Sequence, residues 1–295
     1  MTSEAPPLLL FVNPSSGGGL GDLLIKQVET EPSIHFVKLP QEASTFPETY
    51  RDLLQNPELR CIAAGGDGTV NWVVNLLSAI FGFEATNESQ QIHRPPVAVI
   101  PLGTGNDMSR SLGWGRGLTK NQLNTLPNTI KQIRESTHIE NVDVWNISFQ
   151  KVKDNSTFDK TMLNYFSIGV DAEIAQNFES CRKGKCGCCI CCQCMSLTCY
   201  VPVALRSLCC KRPIRNYLTV DIETENPEPT EEKQEVDQSL FITRRLDASR
   251  SEKTFVIQAI PSIYAGRDLW GDHSPKSMSD GKFEVLTEGG VFRLG

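Results

Sequence analysis

Arg60-Cys61-Ile62-Ala63-Ala64-Gly65-Gly66-Asp67-Gly68-Thr69-Val70 carries three signals in eleven residues. Cys61 to Ala64 is a continuous apolar run, as expected of a strand buried on both faces. Gly65, Gly66 and Gly68 then mark a tight turn. Beyond it Val70, Val73, Val74, Leu77 and Phe81 recur at i, i+3, i+4, i+7 and i+11, a helix with one buried face. The unit is strand, glycine turn, helix.

Working outward, the same unit recurs on both sides. Leu8 to Val12 is an apolar run ending at Asn13-Pro14, followed by Gly17-Gly18-Gly19 and a helical stretch from about Leu20 to Glu29. His35 to Leu39 reads as a second strand and Pro47 to Leu54 as a helix. Pro96 to Ile100 is a fourth strand, running into Pro101-Leu102-Gly103-Thr104-Gly105. Alternating strands and helices predict an α/β fold with a mainly parallel sheet covered on both faces. Ligands of such sheets bind at the carboxyl ends of the strands, where all three glycine clusters fall. From about Glu140 the pattern changes to short β-type runs: Val142 to Phe149, Asn164 to Val170, Tyr217 to Ile222, Phe255 to Ile260 and Lys282 to Leu286. Ala172 to Phe178 is a short helical exception. The expected organisation is a nucleotide-binding α/β domain over 7–140 and a β-rich domain over 141–295.

Composition bounds the function. The chain has 295 residues, 39% of them hydrophobic, enough for a real core and for two domains. Lys and Arg number 29 against 35 Asp and Glu, and the net charge of −6 excludes a protein that coats nucleic acid non-specifically. The start, Met1 to Pro7, is acidic and Pro-rich, unlike a signal peptide. Of 11 cysteines, ten lie between Cys181 and Cys210 and only Cys61 stands apart. That is one local device in an otherwise thiol-poor, cytosolic chain, not a disulfide framework.

The loop chemistry is that of phosphate handling. Glycine lets backbone approach a phosphate closely, and each loop opens a helix whose N-terminus favours anions. Thr69 and Thr104 can donate hydroxyl hydrogen bonds to phosphate oxygens. Asp67 and Asp107 would be repelled by a bare phosphate. They make sense if Mg²⁺ bridges them to it, or if one takes a proton from an attacking hydroxyl. A single glycine-rich turn is as well explained as a connector, whereas three at consecutive strand ends point to a site. There is no GxxxxGK[ST] and no GxGxxG after a strand. What remains is a kinase of neither the P-loop nor the protein-kinase kind.

At these residues the sequence resembles the catalytic region of eukaryotic diacylglycerol kinases. The matching pieces are Phe11-Val12-Asn13-Pro14 with Ser16-Gly17-Gly18, then Gly65 to Val70, then Pro101 to Asp107 with Arg110 and Trp114 behind it. The second half resembles the family's accessory domain in Asn164 to Ala172, in Ile260-Pro261-Ser262 with Ala265-Gly266 and Trp270-Gly271, and in Asp280-Gly281 before Phe283. The resemblance implies transfer of phosphate from ATP, with Mg²⁺, to the free hydroxyl of diacylglycerol, giving phosphatidic acid and ADP. It also implies an active site in the cleft between two domains. Carried over, Asn13, Ser16, Gly17, Gly65, Gly66, Gly68, Thr69, Gly103, Thr104, Gly105 and Asn106 are expected at the nucleotide. Asp67 is the expected essential carboxylate, either as the base or as a metal-organising group, and Asp280 is the rival base. Asp67, Asp107 and Asp143 are the expected metal-side carboxylates, although Asp143 is equally well a junction residue and Asp280 equally well a turn residue. A sphingoid or ceramide kinase and a catalytically inactive membrane- or metal-binding regulator are the competing functions.

Two departures from that family stand out. The chain stops soon after Phe283-Glu284-Val285, as a fragment or a shortened version would, and no C1-type zinc module is expected from its four histidines. The cysteine cluster lies in an insert, 181–210, outside the family pattern. Segment 181–216 has a charge of +7 with no acid, while 221–237 has −7. Clustered thiols beside basic residues suit S-acylation with attraction to an anionic lipid surface, the two signals that stable anchoring needs. Overlapping CxxC spacings also allow a metal or redox site, and an insert without function is the third possibility. The expected location is the cytoplasm, with peripheral attachment to membranes that hold diacylglycerol.

Overall fold

The computed structural model describes residues 5–82, 94–150, 154–182, 254–268 and 277–288. The cysteine-rich insert, the flanking basic and acidic runs, the expected strand Tyr217 to Ile222 and the Trp270-Gly271 pair lie outside the described residues, apart from the backbone at 181 and 182.

Strand β1 (Leu8–Val12) is the centre of a four-stranded parallel sheet and all five of its residues are buried. Helix α1 (Ser16–Val28) follows, then β2 (Ile34–Lys38), α2 (Phe46–Thr49), α3 (Arg51–Leu54), β3 (Arg60–Gly65), α4 (Asp67–Phe81) and β4 (Val97–Pro101). The strand order is β2-β1-β3-β4. Because side chains alternate across a strand, the sheet feeds two cores. Leu8, Leu10, Val12, Ile62, Ala64 and Ile100 join Leu20, Leu24 and Ile25 of α1 on one face. Leu9, Phe11, Cys61, Ala63 and Val99 join Val70, Val73 and Leu77 of α4 on the other. Burial on both sides is why these strands read as unbroken apolar runs, each large side chain contributing about 1.5–3 kcal/mol. The chain moves outward from β1 to β2 on one side and from β3 to β4 on the other, so the β1/β3 crevice is the topological switch point.

Two local differences from expectation have simple causes. The helix expected over Pro47 to Leu54 is two short helices broken at Tyr50, whose φ of −114° and ψ of 28° are not helical. Regular helical turns in α1 begin near Leu20, as expected, because Gly17, Gly18 and Gly19 all take positive φ.

After β4 come α5 (Asp107–Ser111), a 3₁₀ turn over Lys120–Thr125 and α6 (Leu126–Glu135). Leu126, Ile130 and Ile133 pack α6 on the α1 side of the sheet. The second half is antiparallel. Strands β5 (Trp145–Gln150) and β6 (Thr157–Met162) form a hairpin. Strands β7 (Tyr165–Gly169), β8 (Thr254–Gln258) and β9 (Glu284–Glu288) form a separate three-stranded sheet, with α7 (Val170–Arg182) leaving β7 directly. The β5–β6 hairpin rests on α4, where Asn75 Nδ2 donates to Thr161 Oγ1 at 2.5 Å. Leu163, Ile260 and Met278 enter the α4-side core, so the second half is packed onto the first. Among the described residues no helix is long and apolar enough to cross a membrane.

Candidate active site

The loops after β1, β3 and β4 meet at the carboxyl ends of the parallel strands, and glycine is what lets them meet. A Cβ on Gly103 would lie 2.5 Å from Gly66 Cα, so the second and third loops are backed directly against each other. A Cβ on Gly17, whose φ is +62°, would lie 2.6 Å from Leu102 O, which brings the first loop against the third. A Cβ on Gly65 would overlap the Thr69 side chain, packing that threonine against the turn. By contrast a Cβ on Gly68 or Gly19 would meet nothing within 4 Å. The cluster is closed on its inner side and open along Gly68 and Gly19.

The first and third loops are each fixed by an asparagine of their own. Asn13 Oδ1 accepts from Ser15 N at 3.1 Å and from Ser15 Oγ at 2.7 Å, while Ser16 N donates to Asn13 O at 3.0 Å. Asn106, buried and left-handed at φ 54°, accepts from Gly103 N at 3.0 Å and donates to Gly103 O at 2.7 Å and Arg116 O at 2.9 Å. Its amide is spent on shaping the third loop. Thr104 and Gly105 sit half-buried on that loop. Helices α1 and α4 both begin without a side-chain cap; Ser16 N and Thr69 N donate instead to the loop carbonyls Asn13 O and Gly66 O.

Asp67 opens α4 and is half-buried. Its Oδ1 accepts from Met108 N at 2.9 Å and from Asn164 Nδ2 at 2.8 Å, and its Oδ2 accepts from Asp107 N at 3.1 Å. Asp107 is 1% exposed. Its Oδ1 accepts from Ser262 Oγ at 2.7 Å and Gly266 N at 2.8 Å, and its Oδ2 accepts from Ala265 N at 3.2 Å. Burial pushes the Asp107 carboxyl above the ordinary range; the Ser262 hydroxyl pulls it down, neighbouring Asp67 pushes it up, and the amides of Ala265 and Gly266 pull it down. The expectation that Asp107 faces a metal meets a carboxylate that is fully buried; Asp67 also accepts three donors but stays half-exposed.

Asp143 meets the turn that carries Asp280. Gly281 N donates to Asp143 Oδ2 at 2.7 Å, and Asp143 N donates to Met278 O at 2.7 Å. Asp280 is exposed and accepts from Lys282 N at 3.0 Å within its own turn. Among the described residues no hydrogen bond joins Asp143 or Asp280 to Asp67 or Asp107. Nor is there, among them, a group of three His, Cys, Asp or Glu side chains able to hold a metal ion. Hydrogen bonds thus link Asp67 with Asp107, and Asp143 with the turn that carries Asp280.

Three contributors had motif membership in the sequence but no assigned role: Asn164, Ser262 and the Ala265-Gly266 backbone. Their partners are 97, 155 and at least 158 residues away, a separation that local patterning does not reveal.

Comparison with known proteins bears on the same residues. Residues 7–145 match the family model for the diacylglycerol kinase catalytic domain and residues 161–295 that for the diacylglycerol kinase accessory domain. Human diacylglycerol kinase iota is 33% identical over 191 residues, covering 61% of this chain and 17% of the relative. Diacylglycerol kinase 2 of Arabidopsis thaliana is 28% identical over 99% of this chain and 39% of the relative. Human diacylglycerol kinase theta is 29% identical over 99% of this chain and 29% of the relative. The chain spans 17–39% of the length of these three proteins.

Proposed function

Starting from its membership of the diacylglycerol kinase family, to which this chain belongs, we propose that it transfers the γ-phosphoryl group of ATP to the free hydroxyl of diacylglycerol, giving phosphatidic acid and ADP. The observation that carries the proposal is the meeting of three strand-end loops around Asp67 at the switch point of the sheet, with an open strip along Gly68 and Gly19.

The residues present fit the triphosphate of ATP. Backbone at Gly19 and Gly68 lines the open strip, Gly17 and Gly66 hold the loops together behind it, the first turns of α1 and α4 supply N–H donors, and Thr69 and Thr104 supply hydroxyls. Gly65 and Gly103 serve by letting the loops touch, and Asn106 by holding the third loop in shape. A Mg²⁺ cage made wholly of protein ligands does not fit the described residues; Mg²⁺ usually binds through substrate phosphates and one or two carboxylates, and Asp67 is the carboxylate placed for that. When bound it offsets the charge that builds on the transferred group.

Asp67 then orients the acceptor hydroxyl and takes its proton as the new P–O bond forms. Both of its oxygens are held by N–H donors, so the carboxylate is aimed before substrate arrives. Asp143 and Asp280 act on the junction between the two halves.

Substrate is expected to be met at a membrane surface. The insert at 181–216, with its ten cysteines and +7 charge, is the segment we assign to that contact, through S-acylation and attraction to anionic lipid. Labelled ATP offered with diacylglycerol, sphingosine and ceramide in mixed micelles tests the substrate assignment. Label is expected in phosphatidic acid; label in the phosphate of sphingosine or ceramide alone would overturn it.

A further inference from the structure

Asp67 and Asp107 are both gripped by residues from the second half of the chain, and the grip has an uncommon backbone. Tyr264, Ala265 and Gly266 run consecutively in the left-handed region, with φ of 50°, 67° and 98°. That conformation is unfavourable for a residue with a Cβ and persists only where its surroundings enforce it. Here Tyr264 is tied by its hydroxyl, which donates to Asp171 Oδ2 at 2.5 Å in the first turn of α7. Successive backbone N–H groups in a turn can face one way and form an anion-binding concavity. What fills this one is a side chain from the other half of the chain: Ala265 N and Gly266 N both donate to the Asp107 carboxylate, and Ser262 Oγ adds a third donor.

The grip continues to the candidate catalytic carboxylate. Asp107 and Met108 give their backbone N–H groups to Asp67, so one residue holds the loop with its side chain and Asp67 with its backbone. Arg110 closes the arrangement from the side. Its Nε donates to Gly105 O at 3.0 Å, and its guanidinium lies so close that a Cβ on Gly266 would be 2.7 Å from Nη1.

We infer that the loop Ser262 to Gly266 is a positioning element for the transfer reaction, acting on Asp67 through Asp107 without touching the reacting atoms. The inference rests on the kinase reading above. A contact serving only to join the two halves would have no need of a strained, donor-rich backbone directed at a side chain whose own main chain holds Asp67. Small errors in placing a catalytic group are costly, since a misplacement of about 1 Å can lower a rate about 100-fold.

The test uses the full chain. For Ser262→Ala, kcat toward diacylglycerol in micelles is expected to fall about tenfold or more while KM for ATP moves less than about twofold. Ser262→Thr, which keeps the hydroxyl, is expected to restore most of the loss. Amide hydrogen exchange supplies a readout independent of activity: the peptide spanning Asp107 and Met108 should exchange faster in Ser262→Ala than in the wild type. If the wild type is inactive on diacylglycerol, the kinase reading fails and the exchange result still decides the clasp. A Ser262→Ala protein with wild-type exchange at 107–108, or with kcat unchanged and only thermal stability lowered, overturns the inference. Gly266→Ala should be more severe; should it fail to fold, Ser262→Ala, which deletes one hydroxyl, carries the test alone.

Discussion

Asp107 shows how much one side chain's meaning depends on partners that its own segment does not contain. In sequence it stands beside a glycine-rich turn, and an acid there points to a metal. In the structure it is 1% exposed and takes donors from Ser262, Ala265 and Gly266. Burial and the nearby Asp67 raise its native pKa despite those donors. The native state therefore binds this proton more tightly than the unfolded chain, where a carboxyl of this type titrates near about 3.9. The associated stability is present in full below that value and is lost as pH rises through the raised native one. Wild type and Asp107→Asn compared by denaturant titration in metal-free buffer should show this directly. The stability difference, wild type minus variant, should decline as pH is raised from about 4 and then level off; a difference that grows over that range contradicts the assignment. Asp67 was legible as a candidate from the glycine turn that carries it, whereas its partners Asp107, Met108 and Asn164 stand 40 to 97 residues away and were not. Asp143 and Asp280 were legible as candidates but their meeting was not, since only the fold brings Gly281 to Asp143.

At the scale of elements, the parallel sheet was readable because each strand is buried on both faces and has no polar alternation to confuse it. Strand β6 was not: its exposed Thr157-Phe158-Asp159-Lys160-Thr161 run joins a sheet through pairing with β5, not through burial. Helix α6 carries a visible Leu126, Ile130, Ile133 stripe, and α5 is too short to have a pattern at all. The glycine loops divide into closed and open positions, a distinction that composition does not make. Gly68 lies inside the first turn of α4 with open space where a Cβ would go. Gly68→Ala should leave the melting temperature unchanged or raise it, since alanine is favoured over glycine in a helix by up to about 1 kcal/mol. The same change should raise KM for ATP about tenfold or more if phosphate backbone contact is what glycine serves there. A raised KM with a preserved melting temperature separates a ligand-facing glycine from a packing one. An unchanged KM would remove Gly68 from the nucleotide site.

For the whole molecule, two halves of different architecture meet at Asp67, and a third, basic and cysteine-rich segment is assigned to the membrane. The net charge of −6 conceals that segment, because the acidic stretch at 221–237 offsets it in the sum. Replacing the ten clustered cysteines by serine should abolish hydroxylamine-sensitive acylation and binding to anionic vesicles while sparing phosphorylation of micellar diacylglycerol. Vesicle binding that survives the replacement would shift the contact to the basic residues alone. The central claim is narrower: that Asp67, held by the two halves together, performs phosphoryl transfer from ATP to diacylglycerol. It is tested most directly by following label from γ-labelled ATP into phosphatidic acid for the wild type and for Asp67→Ala, with ATP binding and melting temperature measured on the same samples. The account predicts transfer by the wild type and its loss in a variant that still folds and binds ATP; undiminished transfer by Asp67→Ala would contradict it.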